Sequence, residues 1–216
     1  MLKEIFILKI NFVQDKIITN VLINCLKRNK KLKVIILTPI NPNLPGMIRS
    51  IISHMSINDI NKNLKKIRDT DPTRVGTFSL LSQNKNKPIE IKQIYVHSKI
   101  MIVGDKYITI GSANLDKNGF RDSTEFNVSV ISSSLAKQFR TQLWNEYLGQ
   151  DLSLLFNKEY NFDEGFKIWK AVANSNGVSL KNNNPMKGFV YLYNYEEMDF
   201  PKPYPDAVGG NQFVIY

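Results

Sequence analysis

The chain has 216 residues, 43% of them apolar, which is long enough and apolar enough for one domain with a real core. Lys and Arg number 29 against 19 Asp and Glu, and the resulting formal charge of +10 favours nucleic acid, acidic lipid or another polyanionic partner. A single cysteine, Cys25, and two histidines exclude a disulfide framework, a cysteine zinc site and a histidine-rich metal centre, so no metal and no cofactor is expected. No run approaches the roughly 18 apolar residues that span a bilayer. Membrane contact is therefore expected to be peripheral, and the cysteine usage fits a reducing, cytoplasmic compartment.

In chain order, MLKEIFILKINFVQ carries an apolar patch interrupted by Lys9 and Asn11 with no small-residue cleavage site after it, and reads as a strand rather than a leader. The following QDKIITNVLINCLKRN sets Ile17, Ile18, Val21, Leu22 and Leu26 on one helical stripe. Leu32 to Thr38 is a continuous apolar run closed by Pro39, as in a strand covered on both faces. Strand, helix and strand imply a parallel α/β unit.

PINPNLPG predicts a loop, MIRSIISHM and the segment after Ser56 two helical pieces, and Ser56 with Asp59 an N-cap pair. DTDPTR breaks the pattern. GTFSLLS and IEIKQIYV predict strands around an exposed loop from Asn84 to Pro88, and KIMIVGDKYITIG predicts two strands turning at Gly104-Asp105. EFNVSVI is a further strand. Ser132 to Ser134 supply N-cap candidates for LAKQFRTQLWNEYLG, a helix with Leu135, Phe139, Leu143, Trp144 and Leu148 inward and Gly149 as its stop. NFDEGFKIWKAVA predicts one more helix, and from Asn174 onward a loose tail with a short strand at FVYLY. There is no internal repeat.

The chemistry lies between Tyr95 and Asp116, YVHSKIMIVGDKYITIGSANLD. On a strand, residues two apart share a face, so His97 and Lys99 are expected to project together. Gly111 permits close approach of backbone to ligand, and Ser112 and Asn114 offer neutral hydrogen-bonding groups. An ammonium and an amide suit the non-bridging oxygens of a phosphodiester, while an imidazole attacks phosphorus in line. A histidine nucleophile needs its other ring nitrogen held, for which Glu125 is the candidate carboxylate.

This pattern resembles the phospholipase D superfamily, whose signature is His-x-Lys, four residues, Asp, six residues, then Gly-Ser-x-Asn. His97, Lys99, Gly111, Ser112 and Asn114 match it, and RDSTEF brings Glu125 to the place of the family's histidine-supporting acid. FRTQLWNEYLG is similar to the Trp-containing helix after the second motif of phospholipases D, so the resemblance covers about Glu4 to Gly149. It implies an α/β (α+β sandwich) fold with a mixed β-sheet flanked by helices. It also implies a single-motif half-domain over residues 1–150, followed by a helix and loop-rich extension over 151–216.

The resemblance has departures. Gly104 stands where the family has its aspartate, and Asp105 comes one residue late in a supporting position. The family's Glu-Asn-Gln triplet falls on Leu8-Lys9-Ile10. Two-motif members use one histidine as nucleophile and the other as general acid, whereas this chain has one motif, and His54 lacks the accompanying lysine. The implied alternatives are a homodimer, one half of a split protein with a separate first-half chain, or an inactive basic remnant. The implied activity is a phosphodiesterase that cleaves a glycerophospholipid such as phosphatidylcholine through a phosphohistidine on His97. Nuclease activity is the alternative; SANLDKNGFRDSTEF and the Trp helix look more like phospholipases than nucleases.

Overall fold

The computed structural model describes residues 4–9, 16–40, 48–84, 86–115, 122–152 and 162–195. One mixed sheet organises them, in strand order β4-β3-β2-β1-β5-β6-β7, with β8 also paired to β3. Its strands are β1 (Glu4–Lys9), β2 (Lys33–Leu37), β3 (Val75–Asn84), β4 (Lys87–Ile94), β5 (Lys99–Val103), β6 (Tyr107–Gly111), β7 (Asn127–Ile131) and β8 (Val190–Leu192). The helices are α1 (Lys16–Arg28), α2 (Ile48–Thr70), α3 (Ser133–Leu148) and α4 (Phe162–Lys181). The expected α/β class holds. β1 runs parallel to β2 and β2 to β3, whereas β5, β6 and β7 extend the sheet antiparallel.

Strand alternation divides the core in two. Ile35, Leu37, Ile100, Ile102 and Ile108 pack with Trp144 and Trp169 of α3 and α4. Val34, Ile36 and Val75 pack with Leu22, Leu26, Ile60 and Leu64 of α1 and α2. Helices thus cover both faces of the sheet, which explains the continuous apolar run of β2.

Arg74 ties the layers together. Its buried guanidinium donates to the carbonyls of Leu26, Asn29 and Leu32 and to the carboxylate of Asp71. The Thr73 hydroxyl and then Arg74 hold the Asp71 carboxyl down to about 2.

The structure corrects several sequence expectations. α2 is one helix rather than two pieces, because neither Gly nor Pro occurs between Ile48 and Thr70; Ser56 and Asp59 lie in its interior rather than at the start of a helix. The buried face of α1 contains Thr19, Leu22 and Leu26, leaving Ile17 and Val21 more than half exposed. Asn84, Lys87 and Pro88 belong to β3 and β4, a hairpin tighter than the predicted loop. On α3, Leu135 faces outward and the fully buried positions are Ala136, Arg140, Trp144 and Leu148, although Ser132 and Gly149 cap the helix as expected.

The tail from Asn174 is not loose. α4 runs on to Lys181, and buried Asn176 bonds the main chain of Lys187 and Val190, seating β8 against the sheet. The predicted loop over 41–46, the continuation of β1 to Val13 and the tail beyond Tyr195 lie outside the described residues.

Candidate active site

Four residues form one row across the end of the sheet. Lys9 pairs with Lys99, Lys99 with Gly111, and Gly111 with Asn127. Lys99 opens β5 rather than following His97 along a strand, because β4 ends at Ile94 and Tyr95–Ser98 form a connection outside the ladder. Val96, only 6% exposed, anchors this connection in the core, leaving His97 at the surface. His97 and Lys99 nevertheless meet. The Lys99 ammonium, 7% exposed, lies 3.0 Å from His97 Nε2 and donates at 3.0 Å to the His97 carbonyl.

An ammonium only donates, so Nε2 accepts and the neutral ring carries its proton on Nδ1. Burial, and after it the Lys99 charge, lowers the His97 pKa below the ordinary histidine value. Both favour the neutral ring, whose Nε2 carries the lone pair needed for nucleophilic attack. Tyr95 stacks beside it, with centroids 6.1 Å apart and planes inclined by 24°.

The Gly-Ser-Ala-Asn turn is fastened to the start of β7. Ser112 N–H donates to the Phe126 carbonyl at 3.0 Å, and the Ser112 hydroxyl accepts from Phe126 N–H at 3.0 Å. The Asn127 carboxamide accepts from Ala113 N–H and donates to Thr109. A Cβ on residue 111 would sit 2.1 Å from Asn127 Oδ1 and 2.2 Å from the Phe126 carbonyl oxygen, so glycine is required for this closure. Asn114 Oδ1 is buried without a hydrogen-bond partner among the described residues, the orphaned acceptor a ligand site can leave.

Glu125 is half-buried just before β7 and makes no hydrogen bond to His97 among the described residues. Asp105 is elsewhere. Gly104 and Asp105, with φ of 61° and 43°, form the turn at the far end of the β5–β6 hairpin, closed by Lys106 N–H on the Val103 carbonyl, and Lys106 adds a third residue to the predicted two. Four residues of strand separate this turn from the Lys99–Gly111 pair, about 14 Å. There Asp105 takes two hydrogen bonds, at 2.5 and 2.7 Å, from the buried Arg140 of α3. His54 lies within α2.

Sequence reasoning missed Asn127, whose place at the head of an apolar strand was the available signal, and Arg140, a basic residue on the buried face of a helix. No group of acidic, histidine and cysteine residues among those described could hold a metal ion. No described helix is long and apolar enough to cross a membrane.

Residues 2–147 match the family described as "Cardiolipin synthase, PLD-like domain". With the His-x-Lys pair, the Gly-Ser-x-Asn turn and the sheet that aligns them, the chain belongs to this family within the phospholipase D superfamily. Phospholipase D zeta 2 of Arabidopsis thaliana is 25% identical over 187 residues, covering 69% of this chain and 18% of that protein. Phospholipase D A of Dictyostelium discoideum is 42% identical over 76 residues, covering 27% of this chain and 6% of its own length. The chain therefore spans less than a fifth of these relatives. The phospholipase D family member Nuc from Salmonella typhimurium aligns with a TM-score of 0.42 at 20% identity, over 65% of this chain and 74% of that one.

Proposed function

We propose that this chain is the motif-bearing half of a phospholipase D-type phosphodiesterase acting on a glycerophospholipid such as phosphatidylcholine. The carrying observation is the Lys99 ammonium 3.0 Å from Nε2 of a neutral His97. Nε2 attacks phosphorus, the P–O bond to the headgroup breaks, and the phosphatidyl group is carried on His97. Water or an alcohol then displaces it, giving phosphatidic acid or a transferred ester and returning the ring. Lys99 and Asn114 hold the non-bridging oxygens, with Ser112 and Gly111 shaping the turn, and Glu125 takes the Nδ1 proton side of the ring as the site closes.

The departing oxygen needs an acid, and one motif supplies one imidazole. The active form is therefore a homodimer sharing two His97 rings across a two-fold axis, or a complex with a separate first-half chain. Its place is peripheral, on a phospholipid surface.

The +10 charge supports a second reading, a nuclease of the same superfamily, whose binding would fall steeply with salt as counterions are released. Incubation of purified protein with phosphatidylcholine vesicles and with plasmid DNA, beside His97→Ala, separates the readings. Phosphatidic acid from wild type alone supports the lipid reading; nicked plasmid alone replaces it with the nuclease.

A further inference from the structure

Asn127 ends the site row, opposite Gly111, and its carboxamide links the strand before that glycine to the turn after it. Oδ1 accepts from Ala113 N–H at 3.2 Å, and Nδ2 donates to Thr109 Oγ1 at 3.3 Å. A main-chain N–H only donates, so the atom facing Ala113 is the oxygen, and the backbone sets the orientation of the carboxamide. Thr109 is 5% exposed and lies two residues before Gly111 on the same face, so the bridge passes over the glycine. A Cβ on residue 111 would accordingly meet not only Asn127 Oδ1 but also Cγ, at 2.5 Å.

Ala113 stands between Ser112 and Asn114, the turn residues that flank the proposed phosphate. Ser112 is tied to Phe126 through its N–H and its hydroxyl, and Asn127 takes the next N–H along. The Asn127 side chain is exposed, so core packing is not the reason for these contacts. We infer that Asn127 is a positioning residue of the phosphodiesterase site: by holding Ala113 N–H it fixes the backbone that carries Asn114, and with it the place of a phosphate oxygen relative to the Lys99 ammonium. This inference rests on the proposed phosphate site, so its test reads the Ala113 contact and phosphate binding separately.

Exchange of the Ala113 amide and binding of dimethyl phosphate are followed by NMR for wild type, Asn127→Ala, Asn127→Asp, Thr109→Val and Lys99→Met. Asn127→Ala should open the Ala113 amide to exchange and weaken dimethyl phosphate binding about tenfold, the scale of one hydrogen bond to a charged group. Turnover should fall further, on the order of 100-fold, because a reacting group displaced by about 1 Å loses that much. Asn127→Asp keeps the acceptor and can take the Thr109 hydroxyl as donor, so Ala113 should stay protected. The new carboxylate stands two strand spacings, about 10 Å, from Lys99 on β5. Its affinity should therefore fall at low salt and match wild type in about 1 M salt, where charges that far apart are screened. Thr109→Val should weaken binding in wild type and add nothing to Asn127→Ala, because its effect passes through the carboxamide.

Unchanged dimethyl phosphate affinity in Asn127→Ala, with binding lost in Lys99→Met, overturns the role of Asn127 and leaves the phosphate site standing. Equal losses in Asn127→Ala and Asn127→Asp at high salt also overturn it, because restoring the acceptor then restores nothing. Binding that none of these variants changes, or none in wild type, overturns the inference and the phosphate site together.

Discussion

Asp105→Asn removes the carboxylate from a buried ion pair while leaving Arg140 in place. The Arg140 side chain is 1% exposed and that of Asp105 14%, and the guanidinium also lies over the Trp144 ring at 4.8 Å. The substitution takes the paired carboxylate from a guanidinium that is itself buried, and breaking one partner of such a pair costs about 3–5 kcal/mol. For a chain of this size each kcal/mol shifts the thermal midpoint by roughly 2–4 °C, so a fall of about 6–20 °C is expected. Replacing both partners, Asp105→Leu with Arg140→Met, should recover most of the loss, because the double variant strands no charge. Urea unfolding followed by fluorescence, with single and double variants in one cycle, measures the coupling directly. A loss under about 1 kcal/mol for Asp105→Asn would refute this reasoning, as would a double variant no more stable than the single.

Other expectations follow from the same geometry. Gly111→Ala drives a Cβ against Asn127 and the Phe126 carbonyl and should cost about 1–3 kcal/mol, together with the closure of the Gly-Ser-Ala-Asn turn; unfolding measurements beside phosphate binding check it. Lys99→Met should lower the chemical rate on the order of 100-fold or more. It should also move the NMR titration of the His97 ring upward, yet short of the ordinary histidine value, because burial remains the larger cause of depression. The folded Asp71 pKa lies near 2, below its ordinary 3.8, so its contribution to stability is complete above about pH 4 and is lost as pH falls toward 2. Asp71→Asn should accordingly flatten the acid limb of a stability-versus-pH curve measured by urea unfolding.

The layered sheet was legible because β2 and the β5–β6 hairpin carry unbroken or alternating apolar residues bounded by Pro39 and by Gly104-Asp105. The His97–Lys99 meeting was legible from spacing, although for the wrong reason. Period-two alternation predicted it on one strand, whereas the lysine side chain folds back from the first residue of β5 to the exposed connection that holds the histidine. Burial on helices was harder to read. Arg140 occupies a fully buried position because Asp105 neutralises it from another element 35 residues away, and Leu135 stands outside because the helix face is set by Trp144 and Leu148. α4 was cut short in the sequence reading by Asn174 and Asn176, poor helix formers, yet Asn176 is where the helix captures the main chain that leads into β8. The row of Lys99, Gly111 and Asn127 required register, which a strand pattern alone does not contain.

The central claim is that His97 becomes covalently bonded to the phosphatidyl group. Rapid quench of the protein into urea at mildly alkaline pH, which preserves the acid-labile P–N bond, during turnover of a short-chain glycerophospholipid, followed by intact-mass and peptide analysis at that pH, reads that bond directly. The account predicts a phosphatidyl-sized mass increment on the peptide carrying His97, formed before product accumulates and absent from His97→Ala. Steady production of phosphatidic acid by the His97→Ala variant, or by wild type with no adduct at any time, would contradict it.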